Sequence, residues 1–145
     1  MSLDGVYDDG NIFAKIIRGE APCAKLYEDD EAIAFLDLFP QSRGHALVIS
    51  KAAQARNLLD IDPDALCRLM TRVQTVASGL VEALKPDGLV VTQFNGAPAG
   101  QTVFHLHFHL VPRYEGVALA SHGGARMADP AELSALAKEI APHIG

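Results

Sequence analysis

The sequence predicts an α+β fold in one domain, residues 1–145, on three observations. One long segment, from Asp62 to about Leu84, repeats apolar residues every three or four positions, as an amphipathic helix does. Several shorter segments rich in Val, Ile, Leu and Phe are bounded by Gly, Pro, Asn or Asp and read as strands. Long and short helices and strands follow one another in irregular order, without the regular alternation of a parallel α/β sheet. With 145 residues, 49% hydrophobic and 21% charged, the chain can bury one core and leaves little for a second.

The first element is a short helix over Asn11 to Arg18, where Ile12, Phe13, Ile16 and Ile17 fall at helical spacing and Gly19 stands where a C-terminal cap belongs. Three antiparallel strands follow: Ala24 to Glu28, Ala32 to Leu36 and His45 to Ser50. Glu28-Asp29-Asp30 separates the first two, and Asp37 to Gly44 with its Pro40 separates the last two. Asp62 as N-cap and Pro63 in the first turn open the long helix, whose stripe runs through Leu69, Val73, Val76 and Leu80 and stops near Pro86 and Gly88. A strand from Leu89 to Phe94 leads through the turn-rich Asn95-Gly-Ala-Pro-Ala-Gly-Gln101 into a strand predicted over Thr102 to Arg113. Gly116 to Ala128 reads as loop. Asp129-Pro130-Ala131-Glu132 resembles a capping box and opens a last helix, about 130–141, with Leu133, Leu136, Ala137 and Ile140 on its apolar face.

Twelve Lys and Arg against 18 Asp and Glu leave a net charge of −6, the wrong sign for drawing affinity from a phosphate backbone, so nucleic acid is not an expected partner. Cys23 and Cys67 form no C-x-x-C pair, which argues against a disulfide framework or a cysteine zinc knot and fits a reducing cytoplasm. No apolar run approaches the ~18–20 residues of a membrane span. The stretch MSLDGVYDDGN carries neither a basic start nor an apolar core, so the expectation is an unexported, cytoplasmic protein with no membrane partner.

The chemistry concentrates in His105, His107 and His109, interleaved with Leu106, Phe108 and Leu110. On a strand, alternate side chains share a face, so three imidazoles line one side while Phe104, Leu106, Phe108 and Leu110 turn to the core. A slip of one residue would bury the histidines instead. A merely solvated face has no need of histidine at three positions in five. A metal site is a second reading, but positions 105 and 109 lie ~13 Å apart along an extended strand, too far to share an ion as ligands ~2.1 Å from it. No Asp or Glu occurs between Phe94 and Tyr114 to complete such a site. The third reading is nucleophilic catalysis, in which one neutral imidazole attacks phosphorus or an acyl carbon and its neighbours orient it and move protons. Each protonated ring makes the next harder to protonate, which keeps a nucleophilic nitrogen free. The glycines of the preceding loop, Gly96 and Gly100, and the Thr102 hydroxyl suit an oxyanion, with backbone N–H groups turned toward it.

His105-Leu-His-Phe-His-Leu-Val111 resembles the signature of the histidine-triad family of nucleotide hydrolases and transferases. Asn11-Ile-Phe-Ala-Lys-Ile-Ile-Arg-Gly-Glu20, Phe35-Leu-Asp-Leu-Phe-Pro-Gln41, Gly44-His-Ala-Leu-Val-Ile-Ser-Lys51 and Gly100-Gln-Thr-Val103 fall in that family's order. Residues 11–114 are covered, and the chain is most like the bacterial Hint-like branch. The resemblance implies a five-stranded antiparallel sheet, continuous with that of a second copy in a homodimer. It implies that His107 is the nucleophile at an α-phosphate, that His109 serves the leaving group, and that His105 and His45 complete the cluster. Asp37 would hold the ribose hydroxyls, and Phe13, Ile16, Phe35, Leu36 and Leu38 would line the base pocket. Asn95, Gly100, Gln101, Thr102 and Val103 would face the phosphate.

The expected reaction is hydrolysis of a purine nucleoside 5′-phosphoramidate to the nucleoside monophosphate, with no cofactor or metal. A dinucleoside polyphosphate hydrolase is an alternative, since its triad strand also ends in Val-Pro-Arg as here at Val111-Pro112-Arg113; a nucleotide-binding dimer with little turnover is another. Several bacterial members hold a structural zinc partly through two cysteines flanking the Ile-Phe of the first helix, and Asn11 and Ala14 occupy those positions here. That zinc site is therefore expected to be absent. His122 and His143 lie outside the matched motifs and read as surface histidines.

Overall fold

The connections between the first three strands, residues 29–31 and 37–45, are shorter than the dozen or more residues that a parallel crossover needs, so the pairing is antiparallel. The computed structural model describes residues 3–145. Its strands are β1 Lys25–Glu28, β2 Ala32–Leu36, β3 Ala46–Ser50, β4 Gly88–Thr92 and β5 His107–Arg113, and its helices are α1 Ile12–Ile17, α2 Pro63–Leu84 and α3 Pro130–Ile140. They form one sheet in the order β1-β2-β3-β5-β4, antiparallel at every junction. The α+β class and the five-stranded antiparallel sheet are as expected. No helix among the described residues is long and apolar enough to cross a membrane.

The register sorts side chains onto two faces. Phe108 lies opposite Val48 and Leu110 opposite Ala46, and these join Ala32, Ala34 and Leu36 beneath Leu69, Val73, Val76 and Leu80 of α2 and Leu133, Ala137 and Ile140 of α3. The alanines on β2 and β3 leave room for the helices to approach. Burying a leucine such as Leu80 completely is worth roughly 1.5–3 kcal/mol, so this layer is the main source of stability. On the other face His107 lies opposite Ile49 and His109 opposite Leu47, continuing the row of Ile33 and Phe35 that α1 covers with Phe13.

Two expectations need correction. The last strand begins at His107, not Thr102: the Leu106 N–H donates to the Ala55 carbonyl, so the chain before His107 follows the loop after β3 and has left the sheet. Phe104 consequently misses the core and sits half-buried beneath the Arg56 guanidinium, 4.8 Å from its ring centre. The histidine face is also not open to solvent. His45, His105, His107 and His109 are 1–6% exposed, because α1 and the segment before it cover that side of the sheet.

Candidate functional site

The site is assembled where four segments meet: the start of α1, the β2–β3 connection, the loop after β4, and β5. Asn11 caps α1 by accepting the Ala14 N–H at 2.9 Å, which aims Phe13 inward. The Phe13 ring meets Phe35 edge-on at 5.6 Å and His107 edge-on at 4.9 Å.

Each imidazole's partners assign its tautomer, since an N–H donates and a carbonyl only accepts. The His107 Nδ1–H donates to the His105 carbonyl at 2.6 Å, leaving its Nε2 lone pair free. The His105 Nε2–H donates to the Ser50 carbonyl at 2.7 Å, so its Nδ1 is an acceptor. The Gln41 N–H donates to His45 Nδ1 at 3.0 Å, so the His45 proton is on Nε2 and donates to His109 Nδ1 at 3.0 Å. His109 therefore carries its own proton on Nε2, a buried atom with no partner among the described residues. One nitrogen with a bare lone pair and one unpaired N–H donor thus stand on adjacent rings, 4.9 Å between centres.

Burial keeps these rings neutral. It is the first cause lowering the pKa of His107 to about 4, against the hydrogen bond to His105, which raises it. It likewise takes His45 to about 4 and His109 to about 3, aided by the charge that neighbouring histidines would carry. His105 is lowered by the same burial. Asp37 stands 3.4 Å from His45 Nε2 and accepts the Phe39 N–H at 2.9 Å, and burial raises its carboxyl pKa.

Ligand atoms of Asp37, His45 and His109 lie within 4.8 Å of one another, close enough to suggest a cation. Their hydrogen bonds argue otherwise: His45 Nε2 carries a proton while Gln41 holds its other nitrogen, and His109 Nδ1 accepts that proton. At the positions implied for a structural zinc, Asn11 is occupied as a helix cap and Ala14 is buried in the core. Cys23 is half-buried beside the second apolar cluster and Cys67 is exposed on α2.

The loop after β4 departs from the expected cradle. The N–H groups of Ala99, Gly100 and Gln101 are spent on Gly96 and Ala97 carbonyls, and that of Gly96 on Gln101 Oε1. Gln101 is turned inward, its amide donating to the carbonyls of Arg56 and Val103, so it organises the loop and does not face a ligand with its side chain. The N–H groups of Thr102, Val103, Phe104 and His105, in the bend entering β5, have no partner among the described residues. Thr102 is exposed, and Val103 packs on the second cluster. Asn95 Oδ1 accepts from Leu58 N–H and Gln93, tying the loop to the segment before α2. Gly100, at φ 111°, is in a conformation that favours glycine, and a Cβ there would press on Phe94 and His122 at 3.4 Å.

Among the remaining expected pocket residues, Ile16 borders the second cluster and Leu38 is 38% exposed. Leu36 is on the opposite face of β2, in the core under the helices, because its neighbour Phe35 takes the site face. The sequence reading missed His122, Phe94 and Tyr7. The ring of His122 stacks on Phe94 at 4.6 Å, meets His109 edge-on at 5.3 Å, and donates to the Gly100 carbonyl at 2.6 Å. The Gln41 carbonyl and amide both bond Ala120 and hold that segment in place. A loop histidine with no periodic neighbours offered no signal for this. A cavity of about 470 Å³ between the β2–β3 connection and α3 is lined by one member of the cluster, His45, and by Arg43, Glu132 and Glu139, and carries none of the triad.

Comparison with known proteins places this geometry. The family model for the HIT domain matches residues 18–116. The chain belongs to the HIT domain family. It is 41% identical over 141 residues to the adenosine 5′-monophosphoramidase HNT1 of Saccharomyces cerevisiae, covering 97% of this chain and 86% of that one. It is 41% identical over 104 residues to the adenylylsulfatase HINT3 of Arabidopsis thaliana, covering 72% of this chain but only 52% of that one. A Hit-like protein of Bartonella henselae described as involved in cell-cycle regulation superposes at a TM-score of 0.87, with 45% identity over 96% of this chain and all of that one. The HIT match starts after α1 and ends before His122, so it covers the triad, His45 and Asp37 and leaves Tyr7, Asn11 and His122 outside.

Proposed function

We propose that the chain hydrolyses a purine nucleoside 5′-phosphoramidate at the α-phosphorus, releasing the nucleoside monophosphate through a covalent intermediate on His107. The observation that carries this reading is the pairing of a free His107 Nε2 lone pair with an unpartnered His109 Nε2–H. In the first step His107 Nε2 forms a bond to phosphorus as the P–N bond to the leaving amine breaks, and the amine takes its proton from solvent through a water held by the His109 Nε2–H. In the second, water displaces the His107 nitrogen from phosphorus and its proton returns to solvent by the same route, so His107 is regenerated and His109 stays neutral throughout. The unpaired N–H groups of Thr102 to His105 suit the charge on the phosphoryl oxygens. Asp37 keeps acceptor capacity beyond its bond to Phe39 and fits a ribose diol. The step needs no metal.

The yeast relative's name, adenosine 5′-monophosphoramidase, and the Arabidopsis relative's, adenylylsulfatase, share an adenylyl unit and differ in leaving group. We accordingly assign adenosine as the nucleoside, and an amine as the leaving group after the yeast relative, 86% of whose length this chain covers. Steady-state AMP release from adenosine 5′-phosphoramidate, adenylyl sulfate and a diadenosine polyphosphate, with wild type and His107→Asn in parallel, tests both assignments. The expected result is preference for the phosphoramidate and loss of all turnover in the variant. Preference for the dinucleotide would move the chain to the polyphosphate hydrolases, and AMP binding without turnover would leave a binding module.

A further inference from the structure

The polar chain behind the nucleophile does not end at His105. The His105 Nε2–H is committed to Ser50, so Nδ1 is an acceptor, and the Tyr7 hydroxyl, 2.5 Å away, is its donor. The Tyr7 ring also meets His105 edge-on at 5.6 Å. The Tyr7 oxygen in turn accepts from Asn11 Nδ2 at 3.1 Å, while Asn11 Oδ1 caps α1. Each of these bonds has one permitted direction, running from Asn11 through Tyr7 to His105, whose carbonyl receives the His107 Nδ1–H.

The segment bearing Tyr7 is tied down on both sides. Asn57 Nδ2 bonds the Leu3 carbonyl, and the Asp8 and Asp9 carbonyls accept from Asn11 and Arg18. Burial, its largest influence, raises the Tyr7 pKa, so the phenol keeps the proton it must donate. Tyr7 lies 98 residues from its partner in sequence and outside the HIT match.

We propose that Tyr7 is a positioning residue for the reaction: by donating to His105 Nδ1 it fixes the orientation of that imidazole, and with it the carbonyl that holds the nucleophile His107. The inference deepens the phosphoramidase reading and rests on it for its effect on turnover.

Two variants test it. Tyr7→Phe keeps the ring and removes the donor. Asn11→Asp keeps the helix cap but replaces the amide donor by a carboxylate oxygen, which competes with His105 for the single phenol proton. Imidazole 15N–1H spectra of the wild type are expected to show His105 as the Nε2–H tautomer with a hydrogen-bonded Nδ1. In both variants the Nδ1 resonance moves toward that of a bare lone pair and the His107 Nδ1–H resonance shifts with it. The resonances of His45 and His122 stay in place, which separates a local change from loss of fold. On adenosine 5′-phosphoramidate, kcat falls roughly fivefold with KM little changed, the loss expected for one hydrogen bond felt in the transition state.

Unmoved His105 and His107 resonances in both variants, or moved resonances with wild-type kcat, would overturn the proposal. A wild type inactive on every adenylyl substrate would instead sink the functional reading, and the coupled His105 and His107 shifts would still decide whether Tyr7 positions the nucleophile.

Discussion

At the scale of single residues, the decisive property is that four imidazoles stay neutral where free histidine does not. An unfolded histidine titrates near 6.5, whereas burial holds His45 and His107 at about 4 and His109 at about 3 in the fold. Between those values the unfolded chain binds protons that the native chain refuses, so stability is complete above about pH 6.5 and declines as pH falls toward 4. Urea midpoints should therefore be level above pH 7 and fall below 6.5, with a shallower fall in His109→Asn. Turnover follows the same groups: the acid limb of kcat/KM should lie well below the ordinary histidine range, toward about 4, once the His107→Asn blank is subtracted. A limb centred at 6.5 would mean that the nucleophile is solvated. His109 is separable from His107 by leaving group. His109→Asn should cost about 10²–10⁴-fold in kcat on the phosphoramidate, whose amine must be protonated, and far less on adenylyl sulfate, whose sulfate leaves without a proton. Because hydrogen bonds already occupy His45 and His109, EDTA should leave turnover unchanged; a loss restored by added zinc would show a working cation.

Among the elements, what the sequence made legible were the parts governed by local periodicity. The 3.6-residue stripe of α2 with its Asp62 cap, the alternation in β5 and the Asp129-Pro130 start of α3 all appear as read, because helix and strand periods are written in adjacent residues. The triad, His45 and Asp37 were legible for another reason, a motif resemblance. Illegible were the features set by contacts distant in sequence: the start of β5, decided by the Leu106 bond to Ala55; the inward turn of Gln101; and the arrival of Tyr7 and His122 at the cluster. Leu36 was misassigned because the motif names neighbours without their faces, and the pleat puts Phe35 and Leu36 on opposite sides. Helix packing shows the same dependence at Gly79. Alanine there would improve helix propensity by roughly 1 kcal/mol. Its Cβ would, however, come within 2.7 Å of the His143 carbonyl and 2.8 Å of the Ile144 backbone, neither of which is a yielding side-chain tip. Packing wins, so Gly79→Ala should lower the urea midpoint. Deleting Ile144 and Gly145 in the same variant should recover part of the loss.

For the molecule as a whole, the sheet is open at both ends, with β1 and β4 as its edge strands. β5 is flanked by β3 and β4, but β4 ends the sheet at that edge, and its residues are only partly buried, with Val91 49% exposed. α2 adds Met70 and Val81, 38% and 40% exposed, on the face turned from the core. A terminal strand presents a row of unpaired N–H and C=O groups, and natural sheets blunt such edges with charge, proline or a covering partner. The sequence Gly88-Leu-Val-Val-Thr92 carries neither a charge nor a proline. A second copy pairing along β4 would satisfy those groups, which is the continuous sheet that the family resemblance implies. Sedimentation should accordingly give twice the 15.5 kDa of one chain. Val91→Lys on the exposed face of β4 and Val91→Pro, which removes an N–H that points away from β5, provide the contrast. If β4 is the joint, the proline variant should sediment as a monomer while the lysine variant weakens the dimer. Two variants that both remain dimeric would place the interface away from β4, and a wild type of single-chain mass would show that the β4 edge stands unpaired in solution. Turnover measured across the dissociation range would then tell whether His107 works in one copy or needs the sheet completed, since β5, which carries the nucleophile, is only one strand removed from the joint.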